Sequence, residues 1–247
     1  MSIRVGFDVD GVIANFNKTF RETAAKIEGG GGQMAADAMK RVWDHISRTA
    51  QWWLQLEAYE PDQIERLYRV SRERRWEVYF MTTRPSSAGE TTQFQTQWWL
   101  EMQGFPLPAV LTVPGSRGDA ANALKLDIAV DDRLTNCVDI IAASRSKAVL
   151  LLRKDDATVR DQALARGIGV VGTLQAAIDA IEQFEEAKRQ GSGRLSRGHG
   201  PHGRIRHRAE ADDQAGRHRD RRRHGHGHLR AHRVRAWRPP CVRHRAE

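Results

Sequence analysis

Ile3-Arg4-Val5-Gly6-Phe7-Asp8-Val9-Asp10-Gly11-Val12-Ile13 is the stretch on which the reading of this chain turns. Its apolar, β-branched run predicts a buried strand. Gly11 marks the point where the backbone leaves that strand. Strand residues i and i+2 share a face, so Asp8 and Asp10 leave the strand end together. Two carboxylates this close repel each other, and a hard divalent cation with oxygen ligands relieves the repulsion. A solvated acidic turn is the plainer outcome of the same two residues, and the rest of the chain has to separate the two.

Outward from that strand, residues 15–58 carry helical patterning and no strand signal. They hold one helix over 15–27, a Gly29-Gly30-Gly31-Gly32 break and a second helix over 33–56. Helices are expected over 61–74 (with Pro61 in the first turn), 87–103, 119–124, 134–144, 157–166 and 173–187. Between them lie strands over 76–81, 109–113, 127–130, 147–152 and 168–171. Alternating strands and helices imply an α/β fold: a parallel central sheet with right-handed crossovers and helices on both faces.

The charge is unevenly spread. Residues 188–247 hold 18 Lys and Arg against 5 Asp and Glu, a balance of +13; residues 1–187 hold 22 basic and 26 acidic residues, a balance of −4. Nine of the ten histidines also lie after 187. The body therefore reads as an ordinary, mildly acidic domain. The Arg/His/Gly-rich stretch from about 190 has too few apolar residues to bury a core and is expected to be disordered. Such a tail suits non-specific nucleic-acid binding, or is a chance basic extension from a misread 3′ end. Cys137 and Cys241 make neither a disulfide framework nor a zinc pattern, which suits a reducing, cytoplasmic setting. No apolar run approaches the roughly 20 residues that span a bilayer, and the start of the chain has no signal-peptide pattern.

Four expected strand ends carry polar residues: Asp8/Asp10, Thr82/Thr83/Arg84, Ser116/Arg117 and Asp131/Asp132. Ligands of open parallel sheets bind beyond the carboxyl ends of the strands, where all four groups fall. That coincidence favours the metal reading of Asp8 and Asp10. In this ordered set, residues 1–187 resemble the haloacid dehalogenase (HAD) superfamily of phosphohydrolases. Asp8-Val9-Asp10-Gly11-Val12 is similar to its first motif, Thr82 to its second and Asp131-Asp132 to its fourth. The helical insert resembles a small type 1 cap. The Thr-Thr-Arg-Pro and Val-Asp-Asp-Arg stretches look most like the 5′(3′)-deoxyribonucleotidase-like group.

The resemblance implies a HAD-like Rossmannoid three-layer core over 1–14 and 59–187, with a cap at 15–58 and a tail at 188–247. It implies an Mg²⁺-dependent phosphomonoester hydrolase, most like a 5′-nucleotidase on (deoxy)nucleoside monophosphates. A phosphatase for sugar phosphates or nucleic-acid 3′ ends, or an inactive domain with a nucleic-acid-binding tail, are the other expectations. Asp8 would be the nucleophile, Asp10 the acid/base, and Asp8, Asp10, Asp131 and Asp132 the metal site. Thr82, Thr83, Arg84 and Arg117 would meet the substrate phosphate.

The superfamily's third motif is a lysine, for which Lys125 and Arg117 compete. Lys125 precedes the fourth strand, so at about 3.3 Å per residue it starts roughly 20 Å from that strand's carboxyl end. Arg117 follows the third strand and begins a helix, whose N-terminus also favours phosphate. Arg117 is therefore expected at the site. Arg84 and Arg133 either touch substrate or pair within the carboxylates. Trp43, Trp52 and Trp53 either stack on a nucleobase or form the core of the insert.

Overall fold

The strand that carries Asp8 lies inside the sheet, paired on both edges. The computed structural model describes residues 2–29 and 35–195, the last five through their backbone alone. Glycines 30–32, Cys241 and the basic stretch from 196 onward, with the disorder expected there, lie outside the described residues.

Six strands are described: β1 (Arg4–Asp8), β2 (Glu77–Thr82), β3 (Ala109–Thr112), β4 (Ile128–Asp131), β5 (Lys147–Leu151) and β6 (Gly169–Val171). All pair in parallel in the order β3-β2-β1-β4-β5-β6. The chain leaves β1 for β2 and β3 on one side, then crosses to β4, β5 and β6 on the other. The order therefore reverses between β1 and β4, and the crevice of such a sheet opens there, at the carboxyl ends. Register places Asp8 opposite Met81, Phe7 opposite Val130 and Thr82 opposite Thr112, so the polar residues of three strand ends come level.

Helices cover both faces, giving three layers. Phe7, Phe80, Val130 and Leu151 face a core shared with α3 (Pro61–Arg74), α4 (Thr92–Met102) and α8 (Leu174–Leu195). Their neighbours Met81, Ala129 and Leu150 face the other way, toward α5 (Arg117–Leu124), α6 (Leu134–Ala143) and α7 (Ala157–Leu164). This is the period-2 alternation of strands buried on both faces.

The insert holds α1 (Phe16–Glu28) and α2 (Ala36–Arg48), followed by a 3₁₀ turn, Trp52–Gln55. Residues 33–56 are thus not one helix. A continuing helix would bond the Gln51 amide to the Ser47 carbonyl. Instead Ala88 comes between them: its amide donates to Ser47 (2.8 Å) and its carbonyl accepts from Gln51 (3.0 Å). Gln51 takes a left-handed φ of 59° there. Phe16, Phe20, Trp43, Trp52 and Trp53 pack on one another, with ring centroids 4.9–6.1 Å apart.

Two further boundaries move. α4 begins at Thr92, because the Thr91 side chain caps it by accepting from the Phe94 amide. α8 runs past 187 to Leu195; Lys188 pairs with Asp127, and Arg189 pairs with Glu185 one turn earlier at 2.5 Å. Among the described residues, no helix is long and apolar enough to cross a membrane.

Candidate active site

Asp8 ends β1, and Asp10 follows in the turn that Gly11 makes with φ +91°. Thr82 ends β2, Arg117 opens α5 after β3, and Asp131 ends β4. With Thr83, Arg84, Asp132 and Arg133, these residues form or back one cavity of about 350 Å³ at the carboxyl ends of the strands. Lys125 lies at the other end of the sheet, in a groove with Asp127 and Lys147.

The side chains meet as acid–base pairs. The buried Arg117 guanidinium donates from Nη2 to Asp8 Oδ1 at 2.6 Å, and its Nε stands 3.8 Å from Asp131 Oδ2. Arg84 grips Asp10 through Nε (2.9 Å to Oδ2) and Nη2 (2.7 Å to Oδ1), while Nη1 donates to Thr96 Oγ1. The Trp53 and Trp99 rings face its guanidinium at 4.9 and 5.9 Å. Thr82 Oγ1 lies 3.4 Å from Asp10 Oδ2 and accepts from the Arg84 amide. Asp131 accepts from the Arg133 amide at 2.9 Å and from Asn136 Nδ2 at 3.0 and 3.1 Å.

The carboxylates hold more negative charge than the two guanidiniums offset. Burial, then the charge of Asp131, pushes the Asp8 carboxyl well above the usual range; Arg117 only partly opposes this. Burial also raises Asp131, against the bonds it accepts. Asp132 is pushed up to about 6 by burial and by Asp131. A group of hard oxygens short of positive charge is the donor chemistry of a divalent cation. Among the described residues, however, no three acidic, histidine or cysteine side chains stand in a ready-made metal cage. Asp8 and Asp10 turn oxygens to arginines instead.

Some partners here leave no mark in the sequence. The α5 N-terminus does not face the cavity with open amides: Asp139 of α6 accepts from Ser116 Oγ and the Gly118 amide, each at 2.8 Å. Those bonds hold the Asp139 carboxyl below its ordinary value. The expected contribution of that helix end to phosphate binding is therefore taken up by Asp139, and Arg117 offers its guanidinium alone. Gly118 makes the docking possible, since a Cβ there would lie 2.3 Å from the Asp139 carbonyl oxygen. Asn136, Asp139 and Thr96 were not predictable, because nothing in their spacing marks the carboxylates and arginines they meet. Trp53 and Trp43 line the cavity with Phe16, whereas Trp52 is buried in the insert. Trp99 is buried and donates to the Leu56 carbonyl at 2.7 Å; its neighbour Trp98 is exposed.

Neither a family model nor a curated protein sequence matches this chain. Solved structures do. A predicted phosphatase from Clostridium acetobutylicum superposes with a TM-score of 0.52 at 13% identity, over 74% of this chain and 99% of that one. A haloacid dehalogenase-like hydrolase from Streptococcus pneumoniae gives 0.50 at 11% identity, over 73% and 98%. The fold is that of the haloacid dehalogenase-like hydrolases. At such identities the likeness extends to the backbone, and the chemistry has to be argued from this chain's own residues.

Proposed function

We propose that this protein is a phosphomonoester hydrolase working through an aspartyl-phosphate, most like a 5′-nucleotidase. One observation carries the reading. Arg117 is buried in the cavity wall beside Asp8, yet its Nε and Nη1 have no hydrogen-bond partner. Buried guanidinium nitrogens left empty are costly unless an anion fills them. A phosphoryl group beside the Arg117–Asp8 pair would supply acceptors for them within reach of a nucleophile.

In this reading the Asp8 carboxylate attacks phosphorus as the ester P–O bond breaks, and Asp10 gives its proton to the departing oxygen. Asp10 then takes a proton from water. That water attacks the phosphorus, the Asp8–phosphorus bond breaks, and inorganic phosphate leaves. Thr82 Oγ1, the Thr83–Arg84 backbone and Arg117 hold the phosphoryl oxygens. Arg84 keeps Asp10 in place. Asp8, Asp131, Asp132 and the Asp10 carbonyl would hold Mg²⁺, which when bound would supply positive charge to this acidic group. The nucleotide preference is supported by Phe16 and Trp43, whose rings, stacked on each other at 6.0 Å and 17°, give the cavity wall an aromatic face.

The test is phosphate release by the full chain from nucleoside 5′- and 3′-monophosphates, sugar phosphates and a 3′-phosphorylated oligonucleotide. It is run with Mg²⁺ and with EDTA, beside Asp8→Asn. Mg²⁺-dependent release from the 5′-monophosphates, absent in Asp8→Asn, is expected. Release from sugar phosphates alone removes the nucleotidase. Release that persists in Asp8→Asn removes the mechanism.

A further inference from the structure

A second cavity, of about 680 Å³, opens beside the active site and shares Gly11, Asn17 and Asp132 with it. The two differ in lining. The insert wall of the active-site cavity is aromatic and uncharged: Phe16, Trp43 and Trp53. The second cavity is cationic, with Arg21, Arg153 and Lys154 against Asp132 alone.

Arg153 is fixed. It donates to the Gly11 carbonyl (3.1 Å), the Val12 carbonyl (2.5 Å) and Glu60 (2.7 Å), and lies 3.7 Å from the Tyr59 ring centroid. Its charge is thereby matched by Glu60, and it serves as a rigid wall. Arg21 and Lys154 are exposed, and among the described residues neither pairs with an acid. Arg21 bonds only the Asn17 carbonyl, through Nε at 3.0 Å. Two unmatched cations thus flank a cavity that meets the active site along Gly11, Asn17 and Asp132.

We propose that this cavity is a subsite for a second anionic group, a phosphate, on the leaving portion of the substrate. The proposal rests on the phosphomonoesterase reading: one phosphate meets Asp8 and Arg117, and another meets Arg21 and Lys154. A substrate with a single phosphate leaves these cations in water. A bisphosphate neutralises them through two solvent-facing ion pairs.

The experiment measures kcat/KM for a nucleoside 3′,5′-bisphosphate against the matching 5′-monophosphate, and for fructose 1,6-bisphosphate against fructose 6-phosphate. Wild type, Arg21→Gln/Lys154→Gln and Lys26→Gln are compared, the last removing a single positive charge elsewhere on α1. The wild type is expected to prefer the bisphosphate. The double variant should lose about tenfold of that preference, the size of two solvent-facing ion pairs, and Lys26→Gln none. Rising salt should erode the preference. A preference for both bisphosphates means that the cavity reads phosphate; one confined to the nucleoside pair means that it reads phosphate held by a nucleoside. Equal kcat/KM in the wild type, or a preference that survives the double variant, overturns the proposal.

Calorimetric titration of the same ligands separates this proposal from the reading beneath it. Tighter bisphosphate binding that the double variant loses, without turnover, keeps the subsite and removes the hydrolase. Equal binding without turnover removes both.

Discussion

Gly11→Ala tests whether the site depends on where Asp132 stands. Gly11 has φ +91°, and a Cβ there would lie 2.0 Å from Asp132 Oδ2, 2.5 Å from its Cγ and 3.1 Å from its Cβ. Two costs follow. A left-handed backbone with a Cβ costs about 1–2 kcal/mol. Separately, the Asp132 carboxylate has to retreat by about 1 Å or more to restore van der Waals distance, and displacements of that size at a reacting centre cost on the order of 100-fold in rate. Gly167→Ala provides the control, because Gly167 has φ +72° with nothing within 4 Å of a Cβ. Urea unfolding should place Gly167→Ala about 1–2 kcal/mol below wild type with turnover kept, and Gly11→Ala at least as low. Hydrolysis of p-nitrophenyl phosphate by Gly11→Ala should fall about 100-fold. If Gly11→Ala keeps turnover within threefold while losing only the stability that Gly167→Ala loses, then Asp132 has no fixed place in the chemistry and the argument fails.

Three more outcomes are expected. Arg117→Met leaves Asp8 and Asp131 buried without their counter-charge, so urea unfolding should show a loss of about 3–5 kcal/mol, and inorganic phosphate should no longer inhibit; unchanged inhibition would remove Arg117 from phosphate binding. Trp53→Phe removes the indole bond to the Pro85 carbonyl (3.1 Å) and weakens the ring contact with Arg84, for an expected loss of about 1–2 kcal/mol by the same measurement; a wild-type midpoint would contradict that stitch between insert and core. The Glu60 carboxyl, though burial pushes it upward, is held below its ordinary value by the Leu174 amide, Arg153 and the Gln175 amide. A depressed carboxyl stabilises fully above its unfolded pKa of about 4.3, and that stability is lost as pH falls through the folded value. The wild-type unfolding midpoint should therefore drop more steeply on acidification than that of Glu60→Gln, and parallel profiles would refute the assignment.

The parts of this structure that could be read from the sequence are local. A strand, a turn and the polar residue between them are neighbours in the chain. That is why Asp8/Asp10, Thr82, Arg117 and Asp131/Asp132 could each be placed at a strand end, and why a parallel sheet covered on both faces followed from alternation. The parts that could not be read are partnerships. Arg84 meets Asp10 across 74 positions, Arg117 meets Asp8 across 109, and Arg153 reaches Gly11 across 142. Nothing in the spacing of a sequence states which of several arginines a carboxylate will face. The broken helix at Gln51 has the same origin: its local pattern favours helix, and two backbone bonds to Ala88 override it.

Those partnerships divide the two buried arginines into different roles. All three nitrogen positions of Arg84 are engaged, by Asp10 and Thr96, and two indole rings flank its guanidinium. Arg117 bonds Asp8 through one nitrogen and holds two more empty. For Arg84 to meet a phosphoryl oxygen, it would have to leave a carboxylate, a hydroxyl and both rings, each a buried contact with nothing to replace it. For Arg117, taking a phosphoryl oxygen satisfies donors already stranded and breaks no bond. In the proposed reaction, therefore, Arg84 holds Asp10 in place and Arg117 receives the phosphate.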